Sequence, residues 1–204
     1  MGRILPILFN TEMVRAILDG RKTVTRRVMK PQPLFYTGRK YIFDDKEVPK
    51  KWEDCDNIIR TYRYQPGDIL YVRETWQYLF GMDGNEQIAE NTGKYYYAAT
   101  DILPSGGYVD SSGATHETVP WRPSIHMPKA AARIWLEVKD VGIERLQDID
   151  DEGVVAEGLQ MGAPYDELWD STIKKADRGK FGWDANPWVW VIKFKRCRKP
   201  ESEG

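Results

Sequence analysis

Gly20-Arg21-Lys22-Thr23-Val24-Thr25-Arg26-Arg27 is the stretch on which the reading of this chain turns. It follows a short amphipathic segment, Thr11 to Asp19, in which Met13, Val14, Ala16, Ile17 and Leu18 recur at helical spacing. Asn10 and Thr11 are candidates for the helix N-cap, and Gly20 for its C-terminal cap. Thr23, Val24 and Thr25 then favour extended backbone. Charge concentrates here as well. From Arg15 to Lys30, six basic residues (Arg15, Arg21, Lys22, Arg26, Arg27 and Lys30) stand against one acid, Asp19. The formal net charge of the whole chain is -1, so the bias is local. A positive field beside hydroxyl side chains suits an anionic ligand such as a phosphate backbone, while a solvated turn with basic ends has the same composition.

On the N-terminal side, Ile4 to Phe9 is an apolar run whose Pro6 assigns it to a sheet edge or a strand start. On the C-terminal side, residues 31–63 carry little pattern and are rich in Pro, Lys, Asp and Tyr, which predicts a long loop or insertion. Tyr64 to Asp68 is a turn, with Pro66 and Gly67 suited to type II. Ile69 to Trp76 follows as a strand, with Ile69, Tyr71 and Arg73 on one face and Leu70, Val72 and Glu74 on the other. Residues 81–90 read as a polar loop, Lys94 to Ala99 as a strand, and 101–118 as a mobile Gly- and Ser-rich stretch. Trp121-Arg122-Pro123-Ser124-Ile125-His126-Met127-Pro128 then leads into a strand over Ala131 to Val141.

A helix opens at Leu146 to Glu152, with Asp148 as the expected cap, Val154, Val155 and Leu159 as its buried face, and Gly158 at its end. A second helix runs over Tyr165 to Lys175, with Leu168, Trp169 and Ile173 inward. Gly182 to Pro187 is a loop, Trp188 to Phe194 an aromatic strand that sends at least one of Trp188 and Trp190 into the core, and residues 199–204 a disordered tail.

Composition bounds the rest. The chain has 204 residues, 41% apolar and 30% charged, which fits one soluble domain able to bury its own core. Eight Trp and eleven Tyr fill cores by default, and they also stack on bases. Cys55 and Cys197 form no metal-spaced pair, and His116 and His126 are the only histidines, so neither a zinc site nor a disulfide framework is expected. The apolar run at the N-terminus is too short for a signal peptide, and no segment approaches the length of a spanning helix, which together point to a cytoplasmic protein. Five or six short strands with sparse helices predict an α+β fold, a small mixed or antiparallel barrel with helices packed outside.

The order of these elements resembles the ASCH domain, a relative of the PUA fold. The resemblance rests on a helix ending in Gly20-Arg21-Lys22-Thr23-x-Thr25 and on Pro66-Gly67-Asp68 with its following strand. It continues through Leu146-x-x-Ile149-x-x-Glu152-x-x-x-x-Glu157-Gly158 to a final aromatic-rich strand. YQPGDILYVRETW, WRPSIHMP and GWDANPWVWVIKF make the chain similar to the larger ASCH proteins carried by bacteriophages and prophages. The resemblance implies a PUA-like β-barrel with peripheral helices, one domain over 1–198 with insertions at about 31–63 and 78–120. It implies a bacterial cytoplasm as the setting and RNA or a modified nucleoside as the partner, with no cofactor, no metal and no membrane.

Small bacterial ASCH enzymes remove the acetyl group from N4-acetylcytidine with a Lys, a Thr and a Glu. By resemblance these fall on Lys22, Thr25 and Glu157. Amide hydrolysis asks for a nucleophile, a base that activates it and a donor for the leaving amine. Thr25 supplies the first. Lys22 serves as base if burial and the neighbouring Arg21, Arg26 and Arg27 lower its pKa, and Glu157 can orient it or carry the proton. Positions 22 and 25 would face opposite sides of a flat strand, so the segment has to bend. None of the three is expected in the core, so their truncation should leave stability near wild type. Lys22 could equally hold a phosphate, and Thr25 and Glu157 could be ordinary surface residues. Further candidates for substrate contact are Glu74, otherwise paired with Arg73, Arg122 with Ser124 and His126, and Trp183 with Asn186 as a stacking and hydrogen-bonding pair. Three functions fit: hydrolysis of an N4-acylated cytosine nucleoside, recognition of RNA or a modified base without chemistry, and RNA cleavage.

Overall fold

A computed structural model describes residues 2–33, 35–36, 40–45, 48–54, 59, 62–82, 88–104, 108–109 and 115–201, with side chains outside 35–58, 80–92 and 108–116. The chain opens with β1 (Ile4–Leu8), α1 (Thr11–Leu18) and β2 (Val24–Val28), and continues through β3 (Phe35–Tyr36), β4 (Lys40–Asp45) and β5 (Val48–Asp54). Next come β6 (Ile69–Arg73), the hairpin of β7 (Trp76–Met82) and β8 (Ile88–Tyr97), and the two-residue strands β9 (Tyr108–Val109) and β10 (Thr115–His116). The long β11 (Trp135–Arg145), the helices α2 (Asp151–Ala156), α3 (Tyr165–Thr172) and α4 (Arg178–Phe181), and β12 (Trp188–Cys197) complete it. The result is a mixed α+β protein.

Its centre is a five-stranded sheet in the order β1-β6-β11-β12-β2. β1 runs parallel to β6, and the other neighbours are antiparallel. Alternation sets the faces. In β6, Leu70 and Val72 are fully buried while Ile69, Tyr71 and Arg73 are half-buried. In β12, Trp188, Trp190, Ile192 and Phe194 all enter the larger core, where α1 contributes Met13, Val14 and Ile17. Val189 and Val191 point the other way, onto Tyr165 and Trp169 of α3 and onto Leu146. Both tryptophans therefore go inward on one face, as their spacing of two requires. The sheet lies between α1 on one side and α3 on the other.

Local chemistry fixes the joints. Asn10 caps α1 by accepting from Met13 N–H at 2.8 Å, and Gly20 leaves the helix at φ 78°. Asp68 N–H closes the turn on Gln65 O at 3.0 Å, with Gly67 at φ 88°. The Asp68 carboxylate, which burial would push up, is held below its usual pKa by hydrogen bonds from Arg3 and from Gln65 N–H, and so ties the N-terminus to β6.

β1 and β2 are the edges of the sheet, and among the described residues no ladder joins them into a ring. A side chain spans them instead: Arg27 of β2 donates to Leu8 O of β1 at 2.7 Å. Tyr64 donates to Pro6 O at 2.7 Å, so two backbone carbonyls of β1 are met by side chains rather than by a strand.

Several local expectations are corrected. Within 31–63, expected as a long loop or insertion, Phe35–Tyr36, Lys40–Asp45 and Val48–Asp54 form the three-stranded antiparallel sheet β3-β4-β5. The strand expected from Lys94 starts at Ile88, where it pairs with β7, so residues 81–82 and 88–90 of the expected polar loop are strand, and 83–87 lie outside the described residues. Of the stretch 101–118 expected to be mobile, 105–107 and 110–114 lie outside them, as do 202–204 of the tail. The strand expected at Ala131 begins at Trp135, because Pro128 leads into a 3-10 turn over Lys129–Ala131. Asp150, not Asp148, caps the next helix. Leu146–Asp148 forms its own 3-10 turn and Ile149 returns to extended backbone, so the helix starts afresh with Asp150 accepting from Gly153 N–H at 2.7 Å. That start turns Val155 outward, at 39% exposure. Among the described residues no helix is long and apolar enough to cross a membrane.

Candidate functional site

Two helix ends build the site. Beyond α1, Arg21 N–H and Lys22 N–H both donate to Ala16 O, at 2.9 and 3.0 Å, which folds the chain back over the last turn. Thr23 N–H then donates to Ala156 O at 2.9 Å, and Lys22 pairs with Glu157 as an isolated bridge. Glu157 is the C-cap of α2, and Gly158 follows at φ 97°. A Cβ on Gly158 would stand 2.7 Å from Ala16 Cβ and 3.0 Å from Lys22 Cβ, so only glycine lets the two ends close together. Lys22 thus precedes β2 instead of sharing its strand with Thr25. The chain bend places Lys22 and Thr25 both inside, despite their odd separation.

The Glu157 carboxylate, 3% exposed, is the hub. Its Oε2 accepts from the Lys22 ammonium, which also donates to Glu157 O at 3.0 Å. Its Oε1 accepts from Arg26 N–H at 2.7 Å, from Arg26 Nη1 at 3.3 Å and from the Tyr165 hydroxyl at 3.3 Å. Arg26 continues the network to Glu144 at 2.6 Å. Burial pulls the Lys22 pKa below its ordinary 10.5; Glu157 opposes that, and Arg27 and Arg26 add to it. Arg26 is held above its usual value: burial works against its charge, and Glu144 followed by Glu157 outweighs burial. Burial first, then the charge of Glu157, drives Tyr165 far up, so its phenol is a donor.

Thr25, 1% exposed, pairs with Ile192 across the sheet. With Met13 of α1, Arg26, Arg27, Glu157, Tyr165 and Trp169, it lines a cavity bounded by β2, α1 and α3 that has room for about one water molecule. Lys22 is not on that wall; it meets the cavity through Glu157. Among the described residues no group of three His, Cys, Asp or Glu is placed to hold a metal ion.

The other candidates go elsewhere. Arg21 bonds Gly158 O and Asp19, half exposed. Arg26, expected to meet phosphate, is 6% exposed and committed to two carboxylates. Arg27 lies 5.2 Å from the Phe9 ring centre and holds β1. Glu74 pairs not with Arg73 but with Arg133, in two contacts of 2.9 Å, because alternation turns Glu74 inward while Arg73 reaches Ile125 O. Arg122 is exposed, 5.5 Å from the Trp76 ring centre, beside the 3-10 turn of Ser124 and His126. Trp183 packs edge-on to Tyr165, with centroids 6.1 Å apart. Asn186, at φ 42°, spends its Oδ1 on Gln147 N–H and its carbonyl on Arg145. Glu74, Arg122, Trp183 and Asn186 do not line the Thr25 cavity.

Two residues of the network, Tyr165 and Glu144, were not anticipated. A polar hydroxyl on the apolar stripe of the Leu168, Trp169 and Ile173 helix was a usable signal for the first; nothing local marks the second. No protein-family model, curated protein or solved structure matches the chain.

Proposed function

We propose that this chain is an ASCH-type protein on a PUA-like, barrel-forming sheet and that it hydrolyses an N4-acylated cytosine nucleoside or a related modified base. The observation that carries the reading is a buried Lys22–Glu157 pair in which Glu157 lines the same small cavity as Thr25. Burial and two arginines bring the Lys22 pKa below its ordinary value against the opposing pull of Glu157, which eases access to the neutral amine a base needs. In this reading the Thr25 oxygen attacks the acyl carbon, and its proton passes through Glu157 to Lys22. The carbon–N4 bond breaks and the proton returns to the departing amine. Water then cleaves the acyl-threonine, releasing the carboxylic acid and restoring the hydroxyl. The cavity holds about one water, so a nucleobase enters only when α3 moves off β2.

The small size of the cavity favours a second reading, a module that binds RNA or a modified base at its surface and uses the ion pair only as a brace. Acetate release from N4-acetylcytidine separates the two. Wild type should release acetate, and Thr25→Ala should lower turnover by about 10²–10⁴, the usual loss for a nucleophile or acid-base group. A wild-type protein that retards labelled RNA on a gel but releases no acetate supports the binding module and overturns the enzyme.

A further inference from the structure

We propose that Tyr165 is a positioning residue that sets the direction of the Glu157 shuttle, an inference that rests on the hydrolase reading. A carboxylate offers about four lone-pair sites over its two oxygens. Oε1 already accepts from Arg26 N–H, Arg26 Nη1 and Tyr165, while among the described residues Oε2 accepts from Lys22 alone. A proton taken up by Glu157 therefore settles on Oε2, the oxygen that faces Lys22. Two of the three donors on Oε1 belong to Arg26, whose backbone and guanidinium are fixed by β2 and by Glu144. Tyr165 is the one that comes from α3, which bounds the cavity together with β2 and Met13 of α1, so the carboxylate is fully oriented only when α3 is seated.

Tyr165 also tunes the pair. The titratable and charged groups around Lys22 are Glu157 from the end of α2 and Arg26 and Arg27 from β2; Glu144 of β11 and Tyr165 of α3 act through Arg26 and Glu157. A phenol that donates to the carboxylate draws off part of its charge. Without that donor, more of the charge acts on the Lys22 ammonium, and Lys22 loses its proton at higher pH.

Tyr165→Phe removes the donor and keeps the ring against Trp169 and Trp183. Turnover should fall about tenfold, the worth of one hydrogen bond to a charged group, with KM within about twofold. The ascending limb of the kcat–pH profile should move to higher pH. The Lys22 side-chain NMR titration should move the same way, and it can be read without any substrate. A variant with unchanged kcat and an unmoved Lys22 titration overturns the proposal and leaves Tyr165 as packing. If wild type releases no acetate, the hydrolase reading fails by itself, and the NMR titration alone decides whether Tyr165 sets the pair: an unmoved midpoint overturns that too.

Discussion

Glu157→Gln is the most informative single change, because it deletes a charge and keeps the shape. The glutamine oxygen can still accept from Arg26 N–H, and Arg26 keeps Glu144. Lys22 keeps nothing of opposite charge among the described residues: its side chain is 0% exposed, with the carbonyl of residue 157 and the Phe9 ring, 5.8 Å away, beside it. Removing one member of a buried pair costs about 3–5 kcal/mol, which for a chain of this size lowers the melting temperature by roughly 6–20 °C. That cost depends on pH in a defined direction. Wild-type Lys22 already titrates below 10.5, and the change removes the influence that raises it. The unfolded chain then binds more protons than the folded one between the depressed value and 10.5, so the variant gains stability as pH rises through that window. Thermal melts at several pH values from about 6 to 10 test this. The gap to wild type should be widest at the acid end and should shrink by half or more at the alkaline end. A gap that stays constant with pH, or never exceeds about 2 °C, would refute the reasoning that Lys22 is a buried charge held by Glu157.

Turnover on N4-acetylcytidine should rise with pH along a single limb whose midpoint lies below 10.5, since the neutral amine is the active form; a rate that falls over that range removes Lys22 as the base. Arg133→Ala should destabilise the fold by about 3 kcal/mol, because Glu74, 1% exposed, is left without its partner, while acetate release per folded molecule stays at the wild-type level. Chemical denaturation and the acetate assay on one preparation check both halves of that statement.

What the sequence disclosed was what lies close along the chain. The α1 helix, its Asn10 cap, the Gln65–Asp68 turn and the alternation of β6 follow from neighbours within a few residues. The approach of Lys22 to Glu157 was reached by family resemblance, since nothing in the 134 positions between them reports it. Charge misled where the partner was remote. Arg26 reads as one of a basic cluster, yet Glu144 and Glu157 arrive from β11 and α2 to neutralise it. Arg73 and Glu74 are neighbours in sequence, but alternation sends them to opposite faces. The expectation that Lys22, Thr25 and Glu157 lie outside the core, on which their small effect on stability rests, is overturned, because all three are buried. Polar residues look like surface until their burial is known, and only tertiary pairing makes it tolerable.

The edges of the central sheet carry one more consequence. An open sheet invites a stray strand from another molecule to add to its edge, which is how many folded proteins begin to aggregate. Here Tyr64 and Arg27 occupy two carbonyls of β1, and the Arg26 N–H of β2 is occupied by Glu157. The carboxylate at the centre of the site thus also blocks a point of attachment, and only a substitution that leaves no acceptor at position 157 would free that edge donor.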